Sequence, residues 1–238
     1  MITTILFDLD GTLLPMDQEI FTKSYFSRLV KKMAPLGYDP EKLIDAIWKG
    51  TKAMVSNDGS KTNEEAFWNC FTGIFGEDSR KDIPVFEEYY RNEFQDVAGD
   101  CGKNPLAGEA VLRLKEMGYD VGLATNPIFP SIATESRIRW AGLSPEDFLF
   151  YTTYENSVHC KPNPAYYRDI LTMLSRRAEE CLMVGNDVEE DMIAKSLGMQ
   201  VFLLTDCMIN TKGKDISEYP RGNFRDLMDF VRQSCPRR

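Results

Sequence analysis

The sequence has no Cys-x-x-Cys pair, no internal repeat, no low-complexity tract and no surplus of positive charge. Its six cysteines, Cys70, Cys101, Cys160, Cys181, Cys207 and Cys235, are widely separated in a chain of 238 residues. A chain of that length needs no stapling, so they read as reduced thiols and a disulfide scaffold is excluded. The formal net charge is -9, with acidic residues spread along the chain rather than gathered in a tail. Such a surface is ill suited to neutralising a phosphate backbone, which argues against nucleic acid as a partner. A small phosphorylated ligand stays open, because a few local cations and a bound metal can overrule the global field. The N-terminus lacks a basic region, and its short apolar run is broken by Asp8 and Asp10. It reads as neither a signal peptide nor a membrane span, so the expected setting is the cytoplasm with no membrane partner.

What is present is an ordinary globular composition, 43% hydrophobic and 27% charged. The length permits one large domain or a main domain with a smaller insert. Residues 3–9 form an Ile, Leu and Phe run ending in Asp8-Leu9-Asp10-Gly11-Thr12, which predicts a buried strand feeding a glycine-containing turn. From about residue 18 to 95 the apolar period turns helical, with Phe21, Tyr25, Leu29 and Met33 on one stripe and Leu43, Ile44, Ile47 and Trp48 on the next. Asp39-Pro40 opens a helix, Thr62 and Glu65 have capping-box spacing, and a fourth helix is expected over 83–94.

After Pro105, helices expected at 107–117, 131–141, 165–174 and 189–197 alternate with strands at 121–125, 148–152, 181–184 and 200–204. That alternation calls for a parallel sheet with helices on both faces. The expected fold class is α/β: a doubly wound, Rossmann-like parallel-sheet core, residues 1–16 and 97–238, with an inserted all-helical unit, residues 17–96. Trp48, Trp68 and Trp140 follow the apolar stripes and read as core. Alternatively, the aromatic-rich helices of the insert offer a substrate-facing surface.

Ligands of open α/β sheets bind at the carboxyl ends of the strands. Polar residues collect at such ends here: Asp8 with Asp10, then Thr125, Lys161, and Asp187 with Asp191. The side chains of Asp8 and Asp10, two apart, can point the same way, and carboxylates that close repel unless a cation lies between them. Each group also has a plain structural reading: two turn aspartates, a turn-forming threonine, a solvated lysine. Pro162 and Pro164 hold Lys161 at a helix start better than most surface lysines.

Asp8-Leu9-Asp10-Gly11-Thr12 behind a hydrophobic strand resembles the first motif of the haloacid dehalogenase superfamily. That resemblance implies that Asp8 is the nucleophile toward phosphorus, while Asp10 protonates the leaving oxygen and then deprotonates the hydrolytic water. Ala124-Thr125-Asn126 resembles the second motif, which makes Thr125 and Asn126 the residues that bind the phosphoryl oxygens. Lys161 resembles the lysine of the third, which stabilises the charge of Asp8 and of the moving phosphoryl group. The stretch from Val184 to Asp191 resembles the fourth, an acidic pair that holds magnesium, an ion suited to hard oxygen donors.

The implied metal ligands are Asp8, Asp10 and Asp187, with Asn186 and Asp191 in support; Asp187 and Asp191, four residues apart, can share a helix face. The commoner Gly-Asp order is altered, since Asn186 follows Gly185, and either Asn186 or Asp187 can be the equivalent residue. His159 then reads as a loop residue near the site, because Asp10 fills the acid–base role. The insert resembles the family's helical cap, which closes over the site and selects the substrate. The implied activity is a magnesium-dependent phosphatase acting on a small phosphorylated metabolite, as a monomer or a homodimer. A dehalogenase attacking carbon has no need of Asp10. A sugar-phosphate mutase, phosphonate hydrolysis and a non-catalytic binding protein retaining the fold remain as alternatives.

Overall fold

The structure is a computed structural model that describes residues 1–234. Cys235 and the end of the segment assigned to the core lie outside the described residues. Four helices follow the first strand: Gln18–Met33 (α1), Pro40–Val55 (α2), Asn63–Phe75 (α3) and Ile83–Arg91 (α4). The first three starts are chemically marked, because Asp17, Asp39 and Thr62 each accept a backbone N–H of the first turn. Thr62 and Glu65 close the expected capping box. Replacing Thr62 by Ala is expected to lower unfolding stability by ~1 kcal/mol in a urea titration, the usual cost of an orphaned cap.

The sheet comprises Thr4–Phe7 (β1), Asp120–Leu123 (β2), Cys181–Gly185 (β3), Gln200–Leu204 (β4) and Arg221–Gly222 (β5). Its order is β2-β1-β3-β4-β5 and every neighbouring pair is parallel. Around it stand Pro105–Glu116 (α5), Ser131–Trp140 (α6), Pro164–Leu174 (α7) and Phe224–Ser234 (α8). Alternation along β1 sends Ile5 and Phe7 into the cluster under α5 and α8, and Leu6 into the opposite cluster beneath α7. Phe7 pairs with both Leu123 and Val184, so the chain leaves β1 at Asp8 between the ends of β2 and β3. This is the strand-order reversal at which open sheets bind ligands.

The helices α1 to α4 gather around a third apolar cluster that includes Phe21, Leu29, Trp68, Phe71 and Phe86. Ala133 of α6 belongs to this cluster and Phe129 packs against it, so the insert rests on the sheet domain through apolar contact. Asn63 adds a polar tie: fully buried at the start of α3, it donates toward the Pro127 carbonyl at 3.3 Å.

Three expectations are corrected. Residues 148–152 run beside β2, with Leu123 N–H donating to Phe150 C=O at 2.9 Å, but only Tyr151 forms a bridge, so no regular strand develops. This segment lies at the sheet's edge, and the Phe150 ring sits where a Cβ on Gly122 would be, 2.3 Å away. The helix expected at 189–197 is a single α-type turn, with Asp191 N–H donating to Asp187 C=O at 3.0 Å, followed by a 3-10 segment over Met192–Leu197. Asp187 therefore does not share a regular helix face with Asp191: its side chain takes the amides of Glu189 and Glu190 and competes with the helical ladder. Trp48, read as core, is 52% exposed. The two last elements, β5 and α8, had no counterpart in the sequence reading.

Candidate active site

Asp8 is the first residue beyond β1, and its amide donates to the Val184 carbonyl at 2.9 Å. Its carboxylate is buried between two partners. Lys161 Nζ donates to Asp8 Oδ1 at 2.8 Å and to Asp191 Oδ1 at 2.7 Å. The Thr12 hydroxyl lies 3.2 Å from Asp8 Oδ2 and 2.8 Å from Asn186 Oδ1. A hydroxyl has one hydrogen, so the shorter Asn186 contact takes it and Asp8 Oδ2 keeps a loose partner. That oxygen is the less firmly held of the two.

The turn after Asp8 needs Gly11 twice over. Its φ is +81°, and a Cβ would stand 2.4 Å from Asn186 Nδ2. Asn186 is held at both ends, since Nδ2 also donates to the Cys207 carbonyl at 2.8 Å. The structure thus places Asn186 as a strut between the first and fourth motifs.

Asp10 is bonded by a different cation, Arg137. Its Oδ2 accepts from Arg137 Nη1, while Oδ1 is buried with no hydrogen-bond partner. Arg137, on α6, is fully buried, with its guanidinium 4.3 Å from the centroid of Phe129. Burial pushes the Asp10 carboxyl up against the pull of Arg137, and the neighbouring Asp8 charge adds to the rise. The raised direction favours the acid form, which can give a proton. Arg137 was missed by sequence reasoning.

Thr125 and Asn126 follow β2. Thr125 is buried, and its carbonyl accepts from the hydroxyls of Thr152 at 2.6 Å and Tyr166 at 2.8 Å. Asn126 links the third and fourth motifs: Oδ1 accepts the Lys161 amide at 3.3 Å and Nδ2 donates to Glu190 Oε2 at 3.0 Å. Burial pushes the Glu190 carboxyl up to about 7. Burial alone would depress the Lys161 ammonium, but Asp191 and Asp8 hold it well above its ordinary value. Lys161 is therefore charged. His159 instead bonds Asp169 at 2.6 Å and does not line the cavity described next.

These groups floor a cavity of about 570 Å³ between the sheet and the helical insert. Asp8, Asp10, Thr125, Asn126, Asp187 and Asp191 all line it. Five carboxylates crowd this end, those of Asp8, Asp10, Asp187, Glu190 and Asp191, against the cations Lys161 and Arg137. A crowd of carboxyl groups at this end, outnumbering the two cations, fits a hard cation. Among the described residues no three Asp, Glu, His or Cys side chains form a closed cage. Magnesium is commonly held by one or two carboxylates, with waters and substrate oxygens completing the shell, so this donor set suits it.

Three comparisons bear on this geometry. A family model described as haloacid dehalogenase-like hydrolase matches residues 2–198. The chain is 28% identical over 187 residues to pyrophosphatase PpaX of Bacillus cereus (strain G9842), covering 78% of this chain and 75% of that protein. The HAD phosphatase from Thermococcus onnurineus has a similar structure, at a TM-score of 0.59 and 20% identity over 100% of both chains. The 2-haloacid dehalogenase from Pseudomonas syringae pv. Tomato DC3000 reaches 0.63 at 20% identity, covering 98% of this chain and 99% of that one. At such identities the two structures establish the fold, while the family match spans most of the chain together with all four motifs. The protein belongs to the haloacid dehalogenase-like hydrolases.

Proposed function

We propose that this enzyme is a magnesium-dependent phosphatase that hydrolyses a small phosphorylated metabolite through a phosphorylated Asp8. The observation that carries the reading is the pairing of Asp8, fixed by Lys161 with one oxygen loosely held, with Asp10 on the wall of the same cavity. In this reading Asp8 Oδ2 attacks phosphorus as the bond to the leaving oxygen breaks, and the Asp10 acid gives that oxygen its proton. Asp10, now a carboxylate, takes a proton from the water that cleaves the phosphoryl-aspartate. Phosphate leaves and Asp8 is restored. Lys161 offsets negative charge through both steps, and the Thr125 and Asn126 region receives the phosphoryl oxygens.

Asp8 and Asp187 through their carboxylates, and Asp10 through its backbone carbonyl, would hold the magnesium, which would supply charge neutralisation at the phosphoryl oxygens and leave the Asp10 carboxyl for proton transfer. Asn186 has both ends of its side chain engaged, which favours Asp187 as the ligand from the fourth motif. Residues 17–96 act as the cap. Most members of one apolar cluster fall within them, which supports that division.

Turnover of an aryl phosphate with magnesium is the direct test. Chelation is expected to lower the rate by at least ~100-fold, and readdition of magnesium to restore it. Pyrophosphate belongs among the substrates tried, given the PpaX likeness. Release of inorganic phosphate from a sugar phosphate supports hydrolysis, whereas an isomerised sugar phosphate would point to the mutase.

A further inference from the structure

The cavity above the phosphoryl site has walls of a very different character from its floor. Phe26, Ile47, Trp48, Phe67, Trp68 and Phe86, all from the helical insert, line it. From the sheet domain Ile128, Phe129 and Ile209 face the same space. Trp48, the half-exposed side chain that broke the core expectation, tilts against Phe26 with ring centroids 5.5 Å apart. A half-exposed tryptophan tilted against a phenylalanine at the cavity wall is a surface for a flat apolar group. The volume, about 570 Å³, is in the range that encloses an organic ligand rather than a phosphate alone.

Charge narrows the ligand further. Among the described residues that line the cavity none is Lys or Arg, whereas Glu87 and Glu190 both are present. Arg137 is committed to Asp10, and Lys161 to Asp8 and Asp191. Lys212 and Lys214, beside the lining residue Thr211, both close on Glu189. A second phosphate or a carboxylate on the leaving group would enter this space without a cation and against acidic neighbours.

A few neutral polar groups remain. Tyr25 and Tyr90 line the cavity with their hydroxyls bonded at 2.9 Å, and burial pushes both phenols far up, so they stay uncharged. The buried Trp68 indole has the Tyr154 hydroxyl as its polar neighbour, and both side chains line the cavity. Trp68 is 4% exposed.

We propose that the leaving group is an uncharged, mainly aromatic alcohol, so that the substrate class is the phosphate monoesters of such alcohols rather than pyrophosphate or phosphorylated acids. This rests on the phosphatase reading for the phosphoryl end alone. The aromatic walls select the alcohol whichever group is attached to it.

The test compares 2-naphthylmethyl phosphate with 2-phosphoglycolate and inorganic pyrophosphate on the intact enzyme with magnesium. The first two both release an alkyl alcohol, so their difference reports mainly the cavity rather than leaving-group chemistry. A kcat/KM at least ~100-fold higher for the naphthylmethyl ester is expected, the scale on which apolar pockets discriminate. Trp48→Ala should lower that preference by roughly tenfold, the loss of one aromatic face. Equal or better turnover of either anionic competitor overturns the proposal. Calorimetric titration with 2-naphthylmethanol and with glycolate keeps the cavity question separate from catalysis. If no ester is cleaved, the phosphatase reading fails. Binding of the alcohol but not glycolate then still upholds the aromatic cavity, and its absence overturns it.

Discussion

Asp8→Asn is expected to reduce kcat/KM for an aryl phosphate by at least ~10⁴-fold, because an amide cannot serve as the nucleophile that splits the reaction into two steps. The substitution is nearly isosteric. Lys161 keeps its contact with Asp191, and the amide can still accept from Lys161 where Asp8 Oδ1 now does, at 2.8 Å. Folding should therefore survive, and far-ultraviolet circular dichroism should match the parent. Rapid-quench labelling with a radioactive phosphate ester should give acid-stable phosphoprotein in the parent and none in the variant. Metal-dependent turnover within tenfold of the parent would refute Asp8 as the nucleophile.

Lys161→Met should combine the largest stability loss with a second large kinetic one. The ammonium is fully buried and is the shared partner of the Asp8 and Asp191 carboxylates. Removing it leaves two carboxylates in a crowded interior without their cation, a change that typically costs ~3–5 kcal/mol. The loss should appear in urea unfolding as a lower midpoint with an unchanged slope. The rate should fall by ~10²–10³-fold, as when one electrostatic stabiliser of the transition state is removed. Adding Asp191→Asn to Lys161→Met removes a buried charge while leaving an oxygen able to accept the Asp187 amide, now at 2.9 Å. The double variant should regain much of the stability and none of the rate. Recovery of both would reduce Lys161 to a structural cation.

The chemistry-bearing end of the sheet was largely legible because it depends on local features. A buried parallel strand writes itself as an unbroken apolar run, here Thr4–Phe7, and the residue after it must lie at the ligand-binding edge. The helix starts at Asp39 and Thr62 were equally local, since a cap is a contact within one turn. The last helix, α8, carried a similar mark that the reading passed over: Asn223 accepts the Arg225 amide, and Phe224, Leu227, Met228 and Val231 form its buried stripe.

Arg137 was illegible for a different reason. On a helix with almost no contrast between faces, an arginine beside Glu135 and Arg139 is assigned to solvent by pattern. Only the approach of Asp10 and the Phe129 ring makes its burial tolerable. Trp48 failed in the opposite sense: its stripe was apolar and helical, but the partner for that stretch of helix is a cavity. In the fourth motif the four-residue spacing of Asp187 and Asp191 was real. Side chains bonding nearby amides turned the expected helix into a single turn.

By itself the sequence determined the α/β class, the interruption by helices, and the order of the clusters from Asp8 to Asp191, because strand burial, helix period and motif spacing are properties of neighbouring residues. The tertiary structure alone decided that Lys161 bridges Asp8 to Asp191, that Asn186 ties Thr12 to Cys207, and that aromatic side chains from the insert enclose an apolar space with no Lys or Arg among the described residues that line it. Those are contacts between residues far apart in the chain, and they exist only once packing has brought separate elements to the same edge of the sheet.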